Sequence, residues 1–172
     1  FVNNVVGNWE SIGYIMGGDS EGEHFANVFN NYFIRGQASS DNPIGSGNTD
    51  FHIYRANNWY DSNRNGILDG ADLAVAKYGE HDAQASPFAY HTPPAAAYSP
   101  LTALKLAISD AGPSFRRDSV DERMITELIS WGTLGGTIAS ELLPPMSGPG
   151  VIRNGTPDSD SDNDGLPDFW EN

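Results

Sequence analysis

The chain contains no cysteine, few basic residues and no long apolar stretch. Its 172 residues include 9 Lys and Arg against 23 Asp and Glu, which gives a formal net charge of −14. The absence of cysteine excludes a disulfide-stapled scaffold but does not identify a cellular compartment. The shortage of positive charge argues against nucleic acid or an anionic membrane as the partner. The length suits one ordinary domain, and we predict a monomer.

The beginning of the sequence carries no targeting signal. It starts at Phe1 and shows neither an apolar signal segment nor a stretch long enough to span a membrane. We therefore expect a processed or truncated product of a longer protein.

Three pairs of adjacent asparagines recur at a fixed interval. Asn3-Asn4, Asn30-Asn31 and Asn57-Asn58 follow one another at 27 residues, each inside a run of β-branched or aromatic residues typical of strands. A period of this length is typical of stacked architectures, in which each repeat buries its apolar face against its neighbours. The sequence therefore predicts a mainly β protein built from parallel β-helix coils, with asparagines hydrogen-bonded one above another.

Composition divides the chain into three segments. Residues 1–78 are predicted to form β-helix coils that end in an EF-hand-like loop at 61–72. Residues 79–147 are predicted to be an irregular connection over 79–98 and two helices that pack on the outside of the coils. Residues 148–172 are predicted to be a linker and an acidic tail. Because three coils are too few to bury a core alone, we expect further coils before Phe1.

The two helices have recognisable start signals. Ser99-Pro100 is typical of a first helical turn, and Gly112-Pro113 ends the apolar pattern that follows. Ser119 and Glu122 have the spacing of a capping box for the second helix. Both helices have one apolar face, which predicts packing against the coils.

Residues 61–72 have the spacing of an EF-hand calcium loop. Oxygen-bearing side chains fall at positions 1, 3, 5, 9 and 12, and Gly66 at position 6 permits the sharp turn that gathers them. The alternative is an Asn/Asp/Gly-rich turn without metal, because two ligands are uncharged and the last is shorter than the usual Glu. The predicted ligands are Asp61, Asn63, Asn65, the Ile67 carbonyl, Asp69 and Asp72.

The acidic tail matches the same calcium pattern at every position from Asp160 onward. Five carboxylates within twelve residues would repel one another strongly without a cation. The alternative is an acidic disordered tail. We predict Ca²⁺ as the cofactor, with Asp160, Asp162, Asp164, the Leu166 carbonyl, Asp168 and Glu171 as the ligands in the tail.

Four segments resemble the C-terminal half of bacterial pectate lyases of polysaccharide lyase family 1. The segment with Arg116-Arg117-Asp118 is the most discriminating, because unrelated β-helices also carry asparagine ladders. The tail is also similar to thrombospondin type 3 and EF-hand-like calcium loops. The four segments are FVNNVVGNW at 1–9, FANVFNNYF at 25–33, AGPSFRRDSVD at 111–121 and DSDSDNDGLPDFWE at 158–171.

This resemblance implies a right-handed parallel β-helix and a secreted lyase that cleaves polygalacturonate by β-elimination. In the family, calcium bridges the uronate carboxylate and the protein and acidifies the proton at C5, which an arginine removes. The implied partner is pectate, an acidic plant or algal polysaccharide. Calcium would also reconcile a protein of charge −14 with a polyanion.

The catalytic pattern of that family is missing here. Its arginine and the aspartates of its substrate calcium site lie in coils before the one that starts at Phe1. Arg35 and Arg55 lie outside the catalytic pattern, and we assign no catalytic or substrate-binding residue. Asp19, His24 and Arg35 are either solvated loop residues or the border of a substrate groove. We expect this chain alone to be inactive.

Two functions from different classes therefore remain. The first is a piece of a secreted pectate lyase. The second is a non-catalytic, calcium-binding β-helix that acts as an adhesin or a carbohydrate-binding module. An Arg-x-Pro-x-x-Arg-like motif shortly before Phe1 would favour the enzyme.

Overall fold

The structure is a computed structural model that describes residues 1–18, 20–89, 97–146, 148–151, 155, 158–164 and 168–169. Short strands dominate these residues, and two helices follow them. None of the described helices has the length and apolar character needed to cross a bilayer. The elements are β1 Val5–Gly7, β2 Tyr14–Ile15, β3 His24–Phe29, β4 Tyr32–Ile34, β5 Ile44–Gly45, β6 Phe51–Ala56, β7 Trp59–Asp61, β8 Ala71–Asp72, a 3₁₀ helix Val75–Lys77, β9 Asp82–Gln84, α1 Pro100–Asp110 and α2 Ser119–Ile129.

The strands form three sheets, and successive passes of the chain add parallel strands to each. One sheet has the order β1-β4-β7-β8, the second pairs β2 with β5, and the third has the order β3-β6-β9. Within the first sheet Val5 lies beside Tyr32, and Tyr32 beside Trp59, so the register repeats the sequence period. The prediction of a mainly β protein is confirmed.

Two strands depart from the predicted pattern. Strand β9 lies within the connection predicted to be irregular, and it pairs in parallel with β6, His52 facing Asp82 and Tyr54 facing Gln84. Strand β8 pairs with β7 in the antiparallel direction. Parallel addition to the first sheet therefore ends at β7, whereas the third sheet continues for one more strand.

The predicted asparagine ladder is present at the bend between the first and third sheets. The first residue of each pair adopts a left-handed backbone, with φ of 58° at Asn3, 57° at Asn30 and 47° at Asn57. Asparagine tolerates this conformation better than other side chains. The chain therefore turns sharply there, and the second asparagine of each pair points along the stack.

The second asparagines bond directly to one another. The backbone N–H and the Nδ2 of Asn4 both donate to Asn31 Oδ1, at 2.8 and 3.1 Å. Asn31 repeats this with Asn58 Oδ1, at 3.1 and 2.8 Å. The ladder ends where Asn58 Nδ2 donates to the Tyr78 hydroxyl at 2.8 Å. Asn31 and Asn58 have no solvent exposure, so these bonds satisfy amides that water cannot reach.

The apolar core fills the space enclosed by the three sheets. Val28, Phe33, Ile44 and Ile53 are each at most 1% exposed and belong to one buried cluster. Trp9 packs edge-on against Phe33, with ring centroids 6.4 Å apart. Each sheet contributes to this cluster, which explains why strands of only two to six residues are stable here.

Both helices lie against strands of the first sheet. Leu104 of α1 is buried with Tyr32 and Ile34 of β4, and Leu128 of α2 joins the same cluster. The Ser99 hydroxyl caps α1 by accepting the Thr102 N–H. The helices therefore cover part of the first sheet, around β1 and β4.

The start of the second helix differs from the predicted capping box. Asp118, rather than Ser119, is the N-cap, and its carboxylate accepts the N–H groups of Val120 and Asp121, each at 2.9 Å. The neighbouring Arg117 donates to the Ile108 carbonyl at the end of α1, at 2.7 Å. The segment around Asp118 thus joins the end of one helix to the start of the next.

A histidine links the strands of the third sheet on their outer face. His52 Nδ1 lies 2.6 Å from Asp82 Oδ2, and its Nε2 lies 2.8 Å from Glu23 Oε2. Phe25 stacks on the imidazole, with ring centroids 4.9 Å apart. The hydrogen bonds to Asp82 and Glu23 raise the pKa of His52.

Replacing Asn31, the middle residue of the ladder, should destabilise the chain by about 1–3 kcal/mol, because the amides on both sides lose a partner. Asn31→Asp should be at least as severe as Asn31→Ala, since a carboxylate cannot donate to Asn58 Oδ1. Chemical unfolding would measure both. The control is Ser11→Ala, an exposed position off the ladder, where the loss should stay within about 0.5 kcal/mol. Equal losses at the two positions would contradict the ladder as a source of stability.

The charged His52 should stabilise the fold at acidic pH. Its folded pKa is raised, so its contribution is complete below the unfolded pKa of about 6.5 and disappears as pH rises through the folded pKa. The urea midpoint should therefore differ more between the wild type and His52→Gln at about pH 5.5 than at about pH 9. Salt should shrink the difference, because Glu23 and Asp82 are exposed. A difference that is the same at both pH values would rule out this contribution.

Candidate calcium loops

The internal loop starts from a buried carboxylate. Asp61, the last residue of β7, is 2% exposed, and burial raises the pKa of its side chain. The Asp69 N–H donates to Asp61 Oδ2 at 3.4 Å. Burial, with Asp61 nearby, raises the pKa of Tyr32 to about 12. A cation would stabilise a carboxylate this poorly hydrated, provided that the loop brings further oxygen ligands close to it.

The side chains of the loop converge on Asp69. Asn63 Nδ2 donates to Asp69 Oδ1 at 2.9 Å, and Asn65 Nδ2 donates to Asp69 Oδ2 at 3.3 Å. The side-chain oxygens of Asn63 and Asn65 accept the N–H groups of Asn65 and Ile67, and each keeps a second lone pair. The structure therefore gathers the predicted ligands at positions 1, 3, 5 and 9.

The two remaining predicted ligands, the Ile67 carbonyl and Asp72, have different surroundings. Asn65 Oδ1 accepts the N–H of Ile67, which lies in the same turn. Asp72 lies in strand β8 opposite Trp59 and is exposed. Gly66 has φ of 81°, which meets the expected need for glycine at the centre of the loop. This all-oxygen donor set, anchored by Asp61, suits a hard divalent cation.

The tail gathers three carboxylates. Ligand oxygens of Asp160, Asp162 and Asp164 lie within 4.8 Å of one another, and no other trio of acidic, histidine or cysteine side chains is this close within the described residues. Asp168 folds back onto Ser161, accepting its N–H at 2.7 Å and its hydroxyl at 2.9 Å. Three predicted ligands therefore have oxygens close enough to share one cation such as calcium, and Asp168 is bonded to Ser161, which lies between two of them. Leu166 and Glu171 lie outside the described residues.

The other residues singled out from the sequence lie apart from these loops. His24 stacks on Phe51 and bonds to the Ser20 hydroxyl. Arg55 Nε donates to His81 Nε2 at 2.9 Å, and its guanidinium lies 5.0 Å from the centre of the Tyr78 ring. Asp19 lies outside the described residues.

One polar group was not predicted. The Tyr60 hydroxyl donates to Asp41 Oδ1 at 2.8 Å, and Lys77 Nζ lies 2.7 Å from Asp41 Oδ2. The bonds from Lys77 and Tyr60 lower the pKa of Asp41. The three residues come from separate loops and strands, so no local sequence pattern connects them.

Fold and loops together define a mainly β protein with two acidic loops suited to calcium. Comparison with known proteins relates this chain to fungal proteins named probable pectate lyase C. One from Aspergillus fumigatus is 44% identical over 99% of this chain, one from Aspergillus terreus is 41% identical over 99%, and one from Emericella nidulans is 38% identical over 99%.

The chain spans 39–41% of the length of these relatives. No family model and no solved structure matches it. The relatives are fungal, so the bacterial assignment of the resemblance is corrected, whereas the likeness to pectate lyases is supported.

Calorimetry should resolve two calcium-binding events, and the tail should bind more tightly because it offers more carboxylates. Asp160→Ala should remove the tighter event, and Asp61→Asn the weaker. Asp158→Asn, an acidic neighbour outside the twelve-residue pattern, should leave both events unchanged. Magnesium should substitute poorly, since it requires a compact octahedron. If Asp160→Ala leaves the tightest event intact, the ranking of the loops is wrong.

Proposed function

We propose that this chain is part of a secreted pectate lyase that cleaves polygalacturonate by calcium-assisted β-elimination. The observation that supports the proposal most directly is identity of 38–44% over 99% of the chain to proteins named probable pectate lyase C. An unrelated protein sharing only one motif would not align over its entire length.

We further propose that the strands form coils of a right-handed parallel β-helix. Three sheets each receive parallel strands from successive passes of the chain, and the asparagine ladder keeps these passes in register. Crossover connections between parallel strands of one sheet are almost always right-handed. General stereochemistry thus supports the proposed handedness, and the strand order supports the proposed stacking.

The catalytic residues, in this proposal, belong to coils outside this chain. The chain spans about two fifths of its relatives, and Arg35 and Arg55 both have structural partners here. Calcium, when bound beside the substrate, neutralises the uronate carboxylate and acidifies the adjacent carbon acid. The described residues would serve by continuing the stack and covering its outer face.

The two loops would hold calcium as structural sites. Outside the cell, calcium is abundant enough to fill loops of modest affinity. At the internal loop, Asp61 connects the end of β7 to Asp69, so a bound cation would fasten the last parallel strand of the first sheet. In the tail, Asp160, Asp162 and Asp164 would lose their mutual repulsion.

A second function remains possible for the same architecture. Among the described residues, the loops suit calcium and adjoin no catalytic arrangement, which favours a non-catalytic adhesin or carbohydrate-binding module. Such a module would bind pectate or another acidic polysaccharide and release no product.

Activity assays should separate these functions. The longer protein that contains this chain should release unsaturated uronides from polygalacturonate with calcium, detected by ultraviolet absorbance of the new double bond. The 172-residue chain alone should release none. Product from the isolated chain would disprove the external location of the catalytic residues and direct attention to Arg35 or Arg55. Absence of product from the longer protein would favour the binding module.

A further inference from the structure

The turn 131–133, directly after α2, contacts the internal loop 61–72. The Gly66 N–H donates to the Trp131 carbonyl at 3.4 Å. A Cβ added to Gly66 would lie 3.3 Å from Thr133 Cγ2. Gly66 occupies the sixth position of the loop, where the chain bends sharply. The turn therefore touches the loop at its centre.

A second loop connects the turn to the internal loop. Gln37 Nε2 donates to the Thr133 carbonyl at 3.2 Å, and the Gln37 carbonyl accepts Arg64 Nη1 at 3.1 Å. The first of these bonds uses the side chain of Gln37, and the second uses its backbone. A substitution of Gln37 can therefore remove the bond to the turn 131–133 and leave the bond to the loop 61–72 in place.

Gly132 approaches the strand region so closely that no side chain fits there. It is buried and has φ of 82°. A Cβ at Gly132 would overlap the Arg35 carbonyl oxygen and would lie 2.9 Å from Arg64 Cα. Because both of these atoms belong to the backbone, a side chain at Gly132 would force the turn and the loop apart. The turn 131–133 thus packs directly on the backbone between two predicted ligands of the internal loop.

The turn and the loop also share one apolar support. Trp131 and Leu68, the residue at position 8 of the loop, pack against the same buried cluster, which consists of Tyr32, Ile34 and Leu104. Trp131 has φ of 49°, a conformation that a bulky residue keeps only where its surroundings hold it. Displacement of either the turn or the loop would therefore expose part of this cluster to water.

We propose that the turn 131–133 holds the internal loop 61–72 in its cation-binding shape, so that calcium binding and the docking of α2 favour each other. The inference rests on the proposed function, which places a structural calcium in this loop. A ligand binds more weakly when the competent conformation is only partly populated, and loss of the turn lowers that population. Coupling between two sites is reciprocal, so calcium in the loop favours docking of the turn to the same extent.

Calorimetry with calcium on the 172-residue chain tests the coupling. Gly132→Ala should weaken binding at the internal loop roughly tenfold, and binding at the tail should stay unchanged as an internal reference. The matched control is Gly18→Ala, because Gly18 also has positive φ, 64°, but no described atom lies within 4 Å of an added Cβ there. This control carries similar backbone strain and should leave both binding events unchanged.

A milder variant separates the coupling from a failure to fold. Gln37→Ala removes the bond to the Thr133 carbonyl at an exposed position, so the fold should be retained. Loss of this single hydrogen bond should weaken calcium binding at the internal loop by a smaller factor, about threefold.

Hydrogen exchange measures the reciprocal effect. Calcium should slow the exchange of backbone amides in the turn 131–133 and at the end of α2, by a factor similar to the change in affinity. The slowing should be lost in Asp61→Asn and retained in Asp160→Ala, because only the first substitution affects the internal loop.

Three results would overturn the coupling. If Gly132→Ala and Gln37→Ala bind calcium at the internal loop as tightly as the wild type, the coupling is wrong and the calcium site stands. If Gly18→Ala weakens this binding as much as Gly132→Ala, backbone strain is the cause and the close contact is not. If the wild type binds no calcium at the internal loop, the coupling and the proposed structural calcium are both wrong, whereas the proposed lyase function is untouched.

Discussion

The architecture depends on hydrogen bonds between buried side-chain amides at a single bend. Asn31 has no solvent exposure, and its amide both accepts from Asn4 and donates to Asn58. An amide can do this because it carries a donor and an acceptor on one planar group. The same contact satisfies the backbone N–H of Asn4 and Asn31. Register, bend and burial are therefore set together, and a shift of one residue would leave several polar groups unpaired.

The ladder was predictable from the sequence because its signal is periodic and its chemistry is local. Asn at 27-residue spacing specifies both the bend and the stacking. The start of α1 at Ser99-Pro100 was predictable for the same reason. Strand β9 was not, since Asp82–Gln84 has no strand-like composition and is held in place by pairing with β6. The cap at Asp118 was missed because a neighbouring serine offered the same chemistry one residue later.

The candidate calcium loops show the same division. Spacing predicted their ligands, and the structure brings Asp61, Asn63, Asn65 and Asp69 together. Burial of Asp61 at the end of β7 is a tertiary property that no spacing predicts. The same holds for Tyr60, Asp41 and Lys77, which meet only because separate turns converge. Side chains that act through contacts between distant segments leave no pattern in one sequence.

The negative net charge of the chain limits how it can bind an anionic ligand. With 23 acidic residues against 9 basic, the chain as a whole repels a polyanion, so long-range attraction could not account for the proposed binding of pectate. Short-range contacts must do so, and they are strongest where a cation is fixed and only partly hydrated. Where basic side chains meet carboxylates in the described residues, the charges are already matched, as between Lys77 and Asp41 and between Arg123 and Glu127. A bound divalent cation at the acidic loops would reduce the excess of negative charge, so the binding of calcium and the binding of an anion would favour each other on this chain.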